Sequence, residues 1–272
     1  MSRLQELANK ARGDGRKLLI PYLVAGDPNL ASSAQLMDEL VAQGADIIEL
    51  GIPFSDPASD GPVIQLGVER ALAKKVTLAN TLELVRQFRT HNQETAIVLM
   101  GYLNPSEIMG YEVFADAARD AGVDGVLVVD MPPTESAGLH EALRKRDIDT
   151  IYLVAPTTGE ARARDIIQHC SGYLYYVSLK GVTGAALTDH DSVAASISRL
   201  RAHTDLPIVI GFGIKDGPSA AAMAALSDGV IIGSALVNEI GKLADTGQQD
   251  AASLSQCCAV IGSARKAIDN LK

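Results

Sequence analysis

The 272-residue chain has no tryptophan, only four phenylalanines and seven tyrosines, and three cysteines. Cys257 and Cys258 are adjacent, Cys170 stands alone, and no pair has metal-ligand spacing. Neither a disulfide framework nor a zinc site is suggested, and the three read as small apolar residues in helices. Positive charge is also short: 24 Lys and Arg face 33 Asp and Glu, for a net charge of −9. With no long basic block, neither nucleic acid nor an anionic membrane is an expected partner. Any phosphorylated ligand must then be held by local donors. No apolar run reaches the length of a membrane span. The opening Met1-Ser2-Arg3-Leu4-Gln5-Glu6 lacks the apolar stretch of a signal peptide, so a reducing cytoplasm is the expected location. His91, His140, His169, His190 and His203 form no His-x-x-x-His pair, and no Gly-x-Ser-x-Gly elbow occurs. Metal-dependent hydrolysis and Ser-His-Asp acyl transfer are both disfavoured, and no metal is expected.

What is present is alternation. Short runs rich in Val, Ile, Leu and Tyr cover 18–24, 47–52, 96–100, 125–129, 150–154, 173–177, 207–210 and 229–232, each bounded by Gly, Pro or Asp. They read as parallel strands covered on both faces, since such strands lose their polar alternation. Amphipathic segments at 31–43, 78–90, 135–146, 160–169, 192–203, 218–226 and 254–271 read as helices, with Thr134 and Asp191 as candidate N-caps. Residues 2–12 read as an extra N-terminal helix closing the bottom. Eight alternations without a composition break predict an α/β fold, a single (β/α)8 barrel spanning residues 1–272 as one domain. A doubly wound open sheet is the rival.

In such barrels chemistry sits where the strands end. Glu49 lies inside an apolar strand among Ile47, Ile48, Leu50 and Ile52, where desolvation should raise its pKa into acid/base range. Asp60 closes a Pro- and Gly-rich loop. Two carboxyls in unlike environments at one rim can divide acid and base roles. Each has a plainer reading: a buried ion pair for Glu49, a helix N-cap for Asp60. Gly211-Phe212-Gly213 and Gly233-Ser234 follow the seventh and eighth strands, where barrels of this class hold phosphate. Residues 178–186 have the glycine punctuation of a lid, with Gly181 and Gly184 as pivots. Tyr22, Met100, Tyr102, Leu127, Val129, Tyr175 and Phe212 could line a pocket for a flat apolar group, although core packing explains any one of them equally well.

Together these segments resemble the α subunit of tryptophan synthase. The matching pieces are Leu19 to Tyr22 with Ala25 to Pro28, Glu49 to Gln65, Tyr102 with Asn104-Pro105, Asp130-Met131-Pro132, Tyr175 to Gly184, Gly211 to Ile214, and Gly233 to Ala235. The resemblance implies retro-aldol cleavage of indole-3-glycerol phosphate to indole and glyceraldehyde 3-phosphate, with Glu49 and Asp60 as the catalytic pair. It implies that Tyr175 positions substrate, that Gly184, Phe212, Gly213, Gly233 and Ser234 surround the phosphate, and that Thr183 moves inward with the lid. It further implies no cofactor on this chain, a pyridoxal-phosphate-dependent β subunit as partner, an αββα assembly, and transfer of indole between the two. Pro53, Asp56, Asn104, Pro105 and Pro132 are the residues expected to face that partner. The sequence departs from the family's usual pattern at Leu179-Lys180, Ala58-Ser59 and Gly101.

Two other functions remain open at this level. One is a Schiff-base aldolase using Lys180. The other is a phosphate-binding barrel that only modulates a partner. Borohydride reduction in the presence of substrate should leave the chain unlabelled; a covalent adduct on Lys180 would favour the aldolase.

Overall fold

The computed structural model describes residues 2–178, 190–211, 213–247 and 250–271. Helix α1 (Arg3–Gly13) precedes β1 (Leu18–Val24), α2 (Leu30–Ala42), β2 (Ile47–Gly51), α3 (Pro62–Ala73), α4 (Leu78–Arg89), β3 (Ala96–Gly101), α5 (Leu103–Met109), α6 (Tyr111–Ala121) and β4 (Gly125–Val128). Then follow α7 (Ala137–Arg144), β5 (Asp149–Val154), α8 (Glu160–His169), β6 (Leu174–Val177), α9 (His190–Arg201), β7 (Ile208–Gly211), α10 (Gly217–Ala224), β8 (Gly229–Ile232), α11 (Ser234–Thr246) and α12 (Ala251–Asp269). The strands pair in parallel in chain order, and β8 returns to β1 to close the barrel. The open-sheet alternative is thereby excluded.

Side chains alternate across the strands. One set, including Leu19, Ile48, Leu50, Ile97, Leu99, Ile208 and Ile210, packs outward under the helices. The other, including Ile20, Ile47, Val98, Leu127, Ile151, Tyr173, Tyr175 and Val209, fills the interior. Both faces are apolar because both are buried, which is why the strands read as unbroken apolar runs. Helix α1 closes the bottom as expected: Ser2 caps it, and Leu4 joins the interior cluster. Gly125 leaves the space that Leu4 and Ile151 enter; a Cβ there would stand 2.9 Å from Leu4 Cδ1.

A fourfold device fixes the strand register at the bottom. Asp46, Asp124, Ser171 and Asp228 each stand just before an even-numbered strand. Their backbone N–H groups donate to the carbonyls of Leu19, Ile97, Thr150 and Ile208 on the preceding strands, at 2.8–2.9 Å. Their side-chain oxygens accept the N–H of the same four residues, at 2.7–2.9 Å. Each odd strand is thus gripped at both groups of one residue. The three aspartates also hold arginines: Arg16 and Arg265 on Asp46, Arg89 and Arg3 on Asp124, Arg201 on Asp228.

Two expected caps are corrected. Thr134 lies in a 3-10 turn, Pro133–Glu135, set by the Pro132-Pro133 pair, so α7 starts later, after Ser136. Asp191 is in the first turn of α9 and not before it. Helix α3 begins at Pro62, where the reading of Asp60 as an N-cap places a helix, whereas α5, α6 and α11 are not marked in the sequence because glycine and proline interrupt them or stand at their starts.

The two ends of the device differ in burial, and this predicts different costs. Arg89 and Asp124 are both buried, 2.7 Å apart, so Asp124→Ala strands a cation and should cost roughly 3–5 kcal/mol. Asp228 faces Arg201, which is 38% exposed, and Asp228→Ala should cost about 1–2 kcal/mol. Urea unfolding followed by circular dichroism measures both; equal losses would contradict the role given to burial.

Candidate active site

Strand alternation turns Glu49 inward, and register places it beside Tyr22 on β1 and Val98 on β3. The carboxyl is fully buried. Its Oε1 accepts a 2.5 Å hydrogen bond from the Tyr173 hydroxyl, and its Oε2 is buried with no hydrogen-bond partner among the described residues. Among the described residues its one side-chain partner is this phenol and not a cation. Desolvation raises its pKa to about 7, against the lowering effect of the Tyr173 hydrogen bond.

Asp60 sits higher, in the loop between β2 and α3. The cap of α3 is Gly61, which offers no side chain, so Asp60 is not serving as an N-cap. Its Oδ2 accepts a 3.1 Å hydrogen bond from the Tyr102 hydroxyl, which itself accepts the Ser59 N–H at 2.9 Å. Partial burial raises the Asp60 pKa and the Tyr102 hydrogen bond lowers it. Burial and the nearby Asp60 push Tyr102 up to about 12, so it remains the donor of that pair. The Tyr102 ring stacks on Phe54 with centroids 5.3 Å apart.

Tyr22 joins the two carboxyls. Burial, then Asp60, then Glu49 hold its phenol well above the ordinary value, which places it within the field of both. Its hydroxyl and ring edge occupy the space a side chain at Gly51 would need, while its other edge lies against Gly233. Glycine at 51 is therefore required for close approach. Tyr22, Ile52, Phe54, Asp60, Val68, Met100, Gly101, Tyr102 and Val129 line a pocket at the ends of β1 to β4. Tyr22, Met100, Tyr102 and Val129 were expected there. Ile52, Phe54 and Val68 were not, because only the fold brings a loop and a helix face over the strand ends. Leu127 and Tyr175 lie in the interior cluster, and the Tyr175 hydroxyl fills the space beside Gly211.

On the far side, β7 ends at Gly211 and Gly213 adopts a left-handed φ of 77°. Gly233 caps α11 without a side-chain hydrogen bond, so the first amides of that helix, from Ser234 onward, have no side-chain acceptor at the cap. Thr183 and Gly184, with Leu179, Lys180 and Gly181 of the expected lid, and Phe212 lie outside the described residues.

Asp56 and Asn104 are exposed on the same rim, and Pro105 and Pro132 are half-buried. Pro53, expected beside them as a surface residue, is instead buried within the chain. Ile108 on α5 and Val113 on α6 are 80% and 60% exposed, an apolar pair next to Asn104 and Pro105 that sequence reading missed. The Leu103 N–H donates to Asp130 Oδ1 at 2.8 Å, tying the start of α5 to the loop that carries Pro132.

Comparison with known proteins follows the same lines. The sequence pattern of the tryptophan synthase alpha chain family matches residues 8–266. Relatives described as tryptophan synthase alpha chain include one from Thioalkalivibrio sulfidiphilus, 53% identical over 99% of this chain and 100% of its own. Another, from Alkalilimnicola ehrlichii, is 49% identical over 100% of this chain and 98% of its own. Among solved structures, tryptophan synthase subunit alpha from Legionella pneumophila superposes with a TM-score of 0.91 at 43% identity, covering 99% of both chains. A chain of tryptophan synthase from M. tuberculosis in its aminoacrylate-bound form gives 0.86 at 30% identity, covering 98% of this chain and 100% of the other.

The Tyr173 hydrogen bond favours the ionised form of Glu49. Tyr173→Phe should therefore raise the Glu49 pKa above about 7. Carboxyl infrared difference spectra across pH, assigned by their loss in Glu49→Gln, check this; a downward shift would reverse the assignment of the hydrogen bond.

Proposed function

The chain belongs to the tryptophan synthase alpha chain family, and on that premise we propose that Glu49 and Asp60 carry its chemistry together, both acting within reach of Tyr22. It is an indole-3-glycerol-phosphate lyase, cleaving that substrate by a retro-aldol reaction to indole and glyceraldehyde 3-phosphate. The family carries no cofactor on this chain; pyridoxal phosphate belongs to the β subunit.

The observation that carries the assignment is the unequal burial of two carboxyls flanking Tyr22. Cleavage makes the indole ring carbon a leaving group, so a proton must reach that carbon. Glu49, whose pKa burial lifts to about 7, can hold a proton near neutral pH and has one oxygen unpartnered among the described residues, which suits a donor that can then take the proton of the neighbouring hydroxyl as the aldehyde forms. Asp60 at the rim can accept the ring N–H hydrogen bond and stabilise the positive charge that develops there. Tyr22, Met100 and Tyr102 supply the walls for the flat ring, and Leu127 and Tyr175 back them from the interior. Gly211, Gly213, Gly233 and Ser234 are assigned to the phosphate, where glycine backbone and a helix start offer amides to an anion; Thr183, Gly184 and Phe212 are assigned to the same end by their match to the family motif. Holding the phosphate away from the scissile bond fixes the reacting geometry.

Several solved relatives are tryptophan synthase assemblies, which supports a β subunit as partner. The finer reading is an αββα tetramer that passes indole directly to the β site, with Asp56, Asn104, Pro105 and Pro132 at the contact and Ile108 and Val113 extending it as an apolar patch. The whole chain acts as one domain. No helix among the described residues is long and apolar enough to cross a membrane, and the cytoplasm is the proposed location.

Glu49→Gln and Asp60→Asn should each lower turnover by about 100-fold or more and leave phosphate affinity within roughly threefold. Since Glu49 works as an acid first, kcat/KM should fall as pH rises through about 7. Indole release measured from pH 5 to 9, with and without a β subunit, tests both. Near-normal turnover in either variant, or a profile still rising past pH 8, would remove that residue from its role.

A further inference from the structure

The loop that carries Asp60 contains two prolines, Pro53 and Pro57, and little regular hydrogen bonding of its own, yet catalysis needs its carboxylate fixed. Within 56–61 the backbone closes two tight turns, Ala58 N–H to Asp56 O at 2.8 Å and Asp60 N–H to Pro57 O at 3.0 Å. Among the described residues, two side chains grip this segment. Tyr102 holds it at Ser59 N–H and at the Asp60 carboxylate. Gln65 holds it from the other side: its side-chain amide donates to the Asp60 carbonyl at 2.8 Å and to the Pro57 carbonyl at 3.4 Å. The two acceptors are the ends of the second turn, so one amide clasps that turn shut.

Gln65 can do this because its helix is anchored. Ile64, Gly67, Val68 and Ala71 bury one face of α3. Arg70, five residues on from Gln65, makes a bidentate pair with fully buried Asp27, at 2.7 and 2.8 Å. At Gly67 the helix comes so close that a Cβ would stand 2.9 Å from Asp27 Oδ2 and 3.0 Å from Val237 Cγ1. A helix held at that face cannot drift, and Gln65 passes its fixed position to the loop. We propose that Gln65 is a positioning residue of the lyase reaction, setting the aim of the Asp60 carboxylate through the backbone of residues 57–60 while touching no substrate atom.

This rests on the assignment of Asp60 as the partner of the ring N–H. Without the clasp, the second turn opens, and the carboxylate exchanges its half-buried place under Tyr102 for water. Two consequences separate positioning from ordinary packing. Turnover falls while substrate affinity stays, because the phosphate loops after β7 and β8 are untouched. The Asp60 carboxyl, now better hydrated, titrates at lower pH than in the parent chain.

The test uses the full-length chain with its β subunit, Gln65→Met to keep the side-chain length without the donor, and Gln65→Leu as a second variant should the first fail to accumulate as folded protein. The expected result is a fall in kcat of about 10- to 100-fold with KM within about threefold. The melting temperature should move by only a few degrees, as for a single exposed-loop hydrogen bond (about 1 kcal/mol). The Asp60 carboxyl 13C signal, assigned by its loss in Asp60→Asn, should titrate at lower pH. A kcat within twofold of the parent, or a lost kcat with the Asp60 titration unmoved, overturns the proposal. Asp60→Asn, assayed in parallel, tells the two ideas apart: normal turnover there sinks the assignment of Asp60 and Gln65 with it, whereas a dead Asp60→Asn beside a normal Gln65→Met sinks Gln65 alone.

Discussion

A parallel strand that slips by one residue turns its inward side chains outward. In this barrel such a slip would carry Glu49 from the interior to the helix layer and put Ile48 or Leu50 in its place. Register is therefore the constraint on which the site depends, and it is set at the opposite end of the barrel from the chemistry. Asp46, Asp124, Ser171 and Asp228 each take both backbone groups of one residue on the strand before. Two of those residues, Leu19 and Ile97, lie on the strands that flank β2. The Asp46 grip on Leu19 joins β1 to β2 and sets Glu49 beside Tyr22, and the Ala96 N–H donating to the Asp46 carbonyl at 3.4 Å begins the β2–β3 ladder that sets it beside Val98.

The position so fixed is a costly one for a carboxylate. Moving the Glu49 pKa from 4.5 to about 7 disfavours its charged form by about 3 kcal/mol. The surrounding barrel tolerates this because the protonated form carries no charge, and because Tyr173 gives a hydrogen bond that the neutral or ionised group can use. An acid poised near neutral pH can lose its proton and regain it, which is what the role proposed for Glu49 requires. Asp60 is treated differently. It lies at the rim, accepts a hydrogen bond from Tyr102, and belongs to a loop clasped by Gln65. Its surroundings hold it in place more than they change its chemistry.

Tyr102 and its neighbours also connect the chemistry with the surface. The residue precedes α5, which bears exposed Asn104 and Ile108, and its hydroxyl reaches Asp60. Leu103 N–H joins the same segment to Asp130 in the loop of Pro132. A protein seated on this rim would press on the segment whose Tyr102 hydroxyl holds the Asp60 carboxylate, so contact there and the setting of Asp60 are linked by one hydrogen bond.

Much of this was legible in the sequence. The order of apolar runs gave eight parallel strands and a closed barrel, since strands buried on both faces need both sets of residues apolar. A lone Glu among Ile47, Ile48, Leu50 and Ile52 gave a desolvated acid, and the motifs from Glu49 to Gln65 and around Gly211 and Gly233 gave the family. What the sequence left open was everything that depends on contact between distant segments. Whether Glu49 met a cation or a phenol, and whether Asp60 capped a helix, were decided by Tyr173, 124 residues away, and Tyr102, 42 residues away. That Pro53 turns inward while Ile108 and Val113 stay exposed was likewise decided by how loops pack over strand ends. Periodicity fixes which face of a strand a residue occupies; only the closed fold fixes which residue stands opposite, because hydrogen bonds and desolvation act over a few ångströms and take no account of separation along the chain.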